Sequence, residues 1–156
     1  MTSTAAGYHP SAREQFTLST HHRADHPGDE PNGHGPTPGP DDEIVGWVRT
    51  AVDAANDKLG RDTEAFFVGE VLSITDWFVI TSGGSARQVR AIVDEIEEQL
   101  TRTGGPKPVR IEGRESLDWV LMDFGSFIVH VFSAETREYY SLERLWKDVP
   151  RLDDVA

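Results

Sequence analysis

Two kinds of spacing alternate along residues 41–150. Val45, Val48, Val52, Ala55 and Leu59 recur at steps of three and four, the period at which side chains return to one face of an α-helix. Asp41 and Asp42 stand at the head of this run, where carboxylates accept free amides and complement the positive end of the helix dipole. Gly60 is its expected stop. Residues 65–72 and 77–81 are instead apolar and β-prone. Joined by the short polar stretch Ser73-Ile74-Thr75-Asp76, they predict an antiparallel pair of strands.

Ser85 opens a second helical run, in which Val89, Ile92, Val93, Ile96 and Leu100 form one stripe and Gln88 stands three residues after the serine, as a capping box requires. This helix is expected to reach about Thr103. Gly104-Gly105-Pro106 breaks the pattern, and Val109 with Ile111 marks a short third strand. Residues 119–122 and 127–132 then form a hairpin around Asp123-Phe124-Gly125-Ser126. Beyond Ser133, the spacing of Tyr139, Leu142, Trp146 and Val149 predicts a last amphipathic helix, ended by Pro150. The order α-β-β-α-β-β-β-α specifies an α/β fold, a mixed five-stranded sheet flanked by helices.

Composition adds bounds. The 156 residues, 37% of them hydrophobic, supply one ordinary core. Without cysteine, disulfide frameworks and thiol chemistry are excluded. No apolar run approaches the roughly 18 residues of a membrane span, and the N-terminus lacks a basic-then-apolar leader, so a cytoplasmic location is expected. Residues 1–40 hold six of the nine prolines and five of the six histidines, and are expected to be a disordered extension to a single domain at 41–156. His21, His22, His26 and His34 could converge on a divalent ion, but no defined zinc spacing accompanies them and no metal or other cofactor is expected. The formal charge is −12, and the two arginines and four carboxylates of residues 1–40 leave −10 for the domain. So acidic a domain repels a phosphate backbone and suits a basic protein partner or plain solvation; direct nucleic-acid binding is not expected.

The strongest imitation of an active site is Ser82-Gly83-Gly84-Ser85 followed by Glu95-Ile96-Glu97, loosely similar to the nucleotidyltransferase signature of a phosphate-holding Gly-Ser loop and two magnesium carboxylates. Alternate residues share a face in a strand, whereas residues two apart on a helix differ by about 200°. Glu95 and Glu97 therefore cannot easily chelate one ion. The serine loop could still bind an anion at the helix start, with capping as its ordinary task. His130 has neither a cysteine nor a nucleophile-elbow serine to work with, and is read as a structural histidine. No catalytic residue is assigned.

Among the aromatics, Trp146 and Tyr139 share the last helical stripe and are expected in the core. Trp119 at a strand edge and Phe124 in a turn are less easily buried, and Tyr140 falls off the stripe. Exposed aromatics beside carboxylates suit a protein interface.

The same residues carry a resemblance. Ser73-Ile74-Thr75-Asp76 with Phe78-Val79-Ile80, Ser82-Gly83 with Ser85 and Arg87-Gln88-Val89, Glu112-Gly113, Asp118-Trp119, Asp123 with Gly125, Val129-His130-Val131, Glu135 with Arg137, and Tyr140 with Leu142-Glu143 and Leu145-Trp146 follow one another as in the ribosomal silencing factors, also called the Iojap family. The resemblance implies a nucleotidyltransferase-like fold without its catalytic carboxylates. It also implies binding to large-subunit ribosomal protein fourteen on the intersubunit face, and steric exclusion of the small subunit. It transfers the contact role to Trp119, Asp123, Phe124, Arg137 and Tyr140, and suggests a homodimer when the protein is free. Ser126 replaces the usual acidic residue after the turn glycine, and Trp77 a smaller residue or tyrosine. A nucleotide-binding enzyme using the Ser82–Ser85 loop and a generic scaffold module are the alternatives.

Overall fold

The computed structural model describes residues 41–155. Its elements are α1 (Asp42–Asp57), β1 (Arg61–Phe67), β2 (Trp77–Gly83), α2 (Ala86–Arg102), β3 (Arg110–Glu112), β4 (Trp119–Asp123), β5 (Phe127–Ser133) and α3 (Ala134–Tyr140). Two 3-10 segments follow, Leu142–Trp146 and Leu152–Val155. The sheet order is β1-β2-β5-β4-β3, with β2 and β5 parallel and every other pair antiparallel. The mixed five-stranded α/β fold is the one expected from the spacing.

Local chemistry explains the helix starts. Asp41 accepts from the amides of Glu43 and Ile44, and Ser85 from that of Gln88. Gln88 reaches back to the Gly84 amide at 2.6 Å. It also donates to the carbonyls of Lys58 and Leu59 at 3.1 and 2.9 Å, tying the end of α1 to the start of α2.

Both long helices pack on one face of the sheet. There Trp77, Val79, Val120, Met122, Val129 and Val131 meet Val48, Ala51 and Ala55 of α1 and Val89, Ile92, Val93, Ile96 and Leu100 of α2. The α2 stripe is as expected. On α1 the buried face is Val48, Ala51, Ala54 and Ala55, with Val45 and Val52 at its margin, because alanines let the helix approach both its neighbour and the sheet. Leu59, expected in the stripe, is 76% exposed. The helix ends two residues earlier, and Leu59 rather than Gly60 takes the left-handed conformation that closes it, with φ 63°. Gly60 answers to close approach: a Cβ there would lie 2.6 Å from the Thr81 hydroxyl.

The opposite face is aromatic. Phe66, Phe78, Ile80, Trp119, Leu121, Ile128 and Phe132 pack under Leu142 and Trp146, with Val68 and Leu72 alongside. The single C-terminal helix expected here is broken. Ser141 adopts φ 44° and donates its amide to Arg137, and the chain resumes as a 3-10 turn. The tighter winding lets Leu142 and Trp146 reach the sheet, while α3 seats on the sheet through Arg137 and leaves Tyr139 outward, 80% exposed, against its expected place in the core.

β1 begins at Arg61, earlier than expected, with a register irregularity between Arg61 and Glu64 and Asp62 at φ 46°. Its outer edge is closed by the chain end. Phe67 donates its amide to Pro150 at 2.8 Å, and Phe66 forms a bridge with Arg151. The Arg151 guanidinium pairs with Glu64 at 3.2 Å and lies 5.0 Å above the Phe66 ring. Leu152 then enters the helix-covered core, so the tail crosses from one face of the sheet to the other and covers backbone groups that would invite strand pairing.

Candidate functional site

The β4–β5 hairpin divides the five residues singled out for a docking role. At its turn, Asp123 accepts the Gly125 amide at 2.8 Å, and Gly125 takes φ 88°, a conformation that favours glycine. Phe124, expected at the surface, is only 4% exposed. Its amide donates to the Phe127 carbonyl, and its ring stacks on Phe127 at 4.8 Å and 14°, within the helix-covered core. A tight turn can fold its own aromatic inward when a neighbouring ring receives it.

At the other end, Ser133 donates its amide to the Asp118 carbonyl and caps α3. Trp119 sits opposite Phe132 and is 6% exposed, again more buried than its strand-edge position suggested. Cover comes from Tyr140, whose ring tilts onto the indole at 5.1 Å, while Tyr139 meets Tyr140 edge-on at 4.9 Å. Partial burial, reinforced by the neighbouring Tyr139 phenol, raises the Tyr140 hydroxyl above its ordinary range, so it stays an O–H donor. Four strand steps separate Trp119 from Asp123, roughly 13 Å, and Trp119 and Phe124 belong to opposite faces of the sheet.

Arg137, on the buried side of α3, is held by protein. Its guanidinium donates to the carbonyls of Arg61 at 2.8 Å and Asp62 at 2.7 Å and to the Ser82 hydroxyl at 3.3 Å, and pairs with Glu143 at 3.3 Å. It satisfies the irregular start of β1 and joins β1, β2, α3 and the 3-10 turn. Nothing in the local pattern announces this brace, whose acceptors are carbonyls more than 70 residues away.

His130 is fully buried, and the Trp119 indole N–H donates to its Nδ1 at 3.1 Å. Burial lowers its pKa to about 3, which keeps the ring neutral at physiological pH. The structural assignment made for it fits this setting. Tyr139 is the surface residue that sequence spacing missed. One signal was available, since consecutive tyrosines lie about 100° apart on a helix and cannot both sit at the centre of one stripe.

The Ser82–Ser85 loop is engaged by protein. Ser82 is buried against Arg137, the Gly84 amide is taken by Gln88, and a Cβ on Gly84 would lie 2.7 Å from the Arg61 guanidinium. On α2, Glu95 accepts from Gln99 at 2.7 Å while Glu97 pairs with Arg114 at 3.1 Å, so the two carboxylates serve different neighbours. A shallow hollow of about 490 Å³ lies along Asp94, Glu97, Glu98, Thr101 and Arg102. Among the described residues, no group of three or more histidines and carboxylates could hold a metal ion, and no helix is long and apolar enough to cross a membrane. The histidine-rich segment lies outside the described residues.

What the arrangement offers is an exposed Tyr139 beside a half-buried Tyr140 on an aromatic floor, on segments that also carry the exposed carboxylates Asp118, Glu135 and Glu138. Comparison with known proteins agrees with a role in translation. The family described as "Ribosomal silencing factor during starvation" matches residues 41–156. Over 106 residues the chain is 38% identical to the ribosomal silencing factor of Halalkalibacterium halodurans, covering 68% of this chain and 90% of that one. Over 114 residues it is 37% identical to a mouse protein named mitochondrial assembly of ribosomal large subunit protein 1, covering 70% of this chain and 50% of that protein. A crystal structure of a Chromobacterium violaceum protein matches with a TM-score of 0.63 at 33% identity, covering 66% of this chain and 85% of the other.

Proposed function

Because this chain belongs to the ribosomal silencing factor family, we propose that it binds the large ribosomal subunit through ribosomal protein fourteen and sterically blocks association with the small subunit. Translation is thereby repressed in the cytoplasm, without catalysis by the protein. The observation that carries this reading is the family match across residues 41–156. The name of the mouse relative, which refers to the large subunit, supports the choice of subunit.

The docking centre we favour is the α3 end of the hairpin. Tyr139 and Tyr140 supply rigid aromatic area, Trp119 supports them from beneath, and the acidic surroundings complement a basic ribosomal protein. Arg137 contributes by holding α3 in place. Asp123 and Phe124 shape the far turn, and would contact the partner only if it extends along the hairpin. Residues 1–40 are assigned no part in docking, and self-association of the free protein is the companion expectation.

The test is co-sedimentation of the protein with separated large and small subunits, together with a subunit-reassociation assay. Selective large-subunit binding with lost reassociation is expected, both for the full chain and after removal of residues 1–40. Binding to neither subunit would reduce the family relationship to shared fold.

A further inference from the structure

His130 is the sole histidine of the described residues, and its surroundings fix its chemistry. The ring lies 4.7 Å from Phe78, 5.9 Å from Trp119 and 6.2 Å from Phe132 between centroids, and none of these neighbours is charged. Because Nδ1 accepts the Trp119 indole N–H, the proton of the neutral ring sits on Nε2. That atom is buried without a hydrogen-bond partner. An unsatisfied buried donor costs stability that a phenylalanine in the same slot would not incur. What histidine supplies and phenylalanine cannot is an acceptor aimed at one N–H.

We propose that His130 is a positioning residue for the docking surface, fixing the Trp119 indole as the floor on which Tyr140, and through it Tyr139, is ordered. This rests on the large-subunit reading above. The strand register makes the geometry specific. Trp119 pairs with Phe132 and Leu121 with His130, so Trp119 and His130 are diagonal neighbours on one face of the β4–β5 ladder. The second torsion of a tryptophan side chain has broad alternative settings, and only one of them points the indole N–H at Nδ1. With the indole so set, Tyr140 lies on it at 5.1 Å and 47°, and Tyr139 stands at 90° to Tyr140. A partner then meets rings that are already ordered, and the entropy of arranging them is not lost on binding.

The experiment separates the acceptor from the packing. His130→Phe keeps an aromatic ring and removes the acceptor, whereas His130→Asn puts an oxygen near Nδ1 and removes bulk. Three quantities are measured: large-subunit affinity, thermal midpoint and the indole N–H resonance of Trp119, assigned by its absence in Trp119→Phe. We expect His130→Phe to shift the resonance and weaken binding at least tenfold. His130→Asn should bind within threefold of the parent despite a lower thermal midpoint. In the Trp119→Phe background, His130→Phe should cause no further loss, the signature of a residue acting through its neighbour. If His130→Phe does not fold, His130→Leu replaces it in the same comparison. Unchanged binding by the acceptor-less variant, or affinities that follow thermal midpoints, would overturn the proposal. If the parent protein itself fails to bind large subunits, the docking reading falls and this inference with it; normal parental binding with an indifferent His130→Phe removes the inference alone.

Discussion

The two faces of the sheet are built from different materials. One is closed by two long, capped helices that bring valines, isoleucines and alanines against a sheet face that is mostly valine, with Met122, Trp77 and Phe127 among them. The other is closed by one short helix and a 3-10 turn, and it buries Phe78, His130, Phe132, Trp119 and Trp146. Polar atoms accompany these rings. His130 Nε2, Trp146 Nε1 and Glu143 Oε1 are buried without a hydrogen-bond partner, against Trp77 Nε1 on the helical face, while the Arg137 guanidinium is extensively bonded. Aliphatic packing needs approximate shape; a face made of rings and single hydrogen bonds needs orientation. The contrast suggests that the helical face carries stability and the aromatic face presents a surface in one conformation.

That division can be broken from either side. The largest loss of stability is expected from Arg137→Ala, which leaves two backbone carbonyls and Glu143 without their shared partner. About 3–5 kcal/mol should disappear from the urea-unfolding free energy. Arg137→Lys should recover little of it, because one ammonium cannot reproduce the planar fork. A smaller loss would mean that water replaces the brace.

Ile96→Ala on the helical face should cost about 2–4 kcal/mol through the cavity it leaves. Large-subunit affinity of the folded protein should remain unchanged. A parallel fall in affinity, measured well below the thermal midpoint, would show that the two faces are not separable.

Acid gives a graded test of the aromatic face alone. The pKa of His130 is lowered from 6.5 to about 3 in the folded chain, so between these values the unfolded state binds a proton that the folded state does not. Stability therefore falls as pH drops below 6.5, by about 2 kcal/mol between pH 7 and pH 5 from this group. Urea titrations across that range should show the slope in the parent and lose this part of it in His130→Asn.

Tyr139→Ala should have the smallest effect on stability, within about 0.5 kcal/mol for so exposed a side chain. It should nevertheless weaken large-subunit binding about tenfold, or roughly 1.4 kcal/mol. Sedimentation with purified large subunits would decide it: unimpaired binding places the anchor elsewhere on the molecule.

The elements were legible in the chain because their causes are local. Ser85 with Gln88, Asp41 with the run behind it, and the β-branched strands around Asp123-Phe124-Gly125-Ser126 each act within a few residues. The candidate site was legible only in part. Trp119 and Tyr140 do meet, but Phe124 turns inward onto Phe127 and Tyr139 outward. Those outcomes depend on a ring supplied by β5 and on α3 seating against the sheet through Arg137.

The sequence by itself determined the order and type of the elements as far as β5, the capping chemistry of both long helices and the acidic character of the domain, since periodicity, caps and charge are properties of neighbouring residues. Only the tertiary structure decided that Arg137 braces β1, that His130 accepts from Trp119, that the chain end crosses the sheet edge, and which tyrosine faces water. Each joins groups from separate segments, or turns on how the last segment seats against the sheet, and such pairings exist only once the segments are packed together.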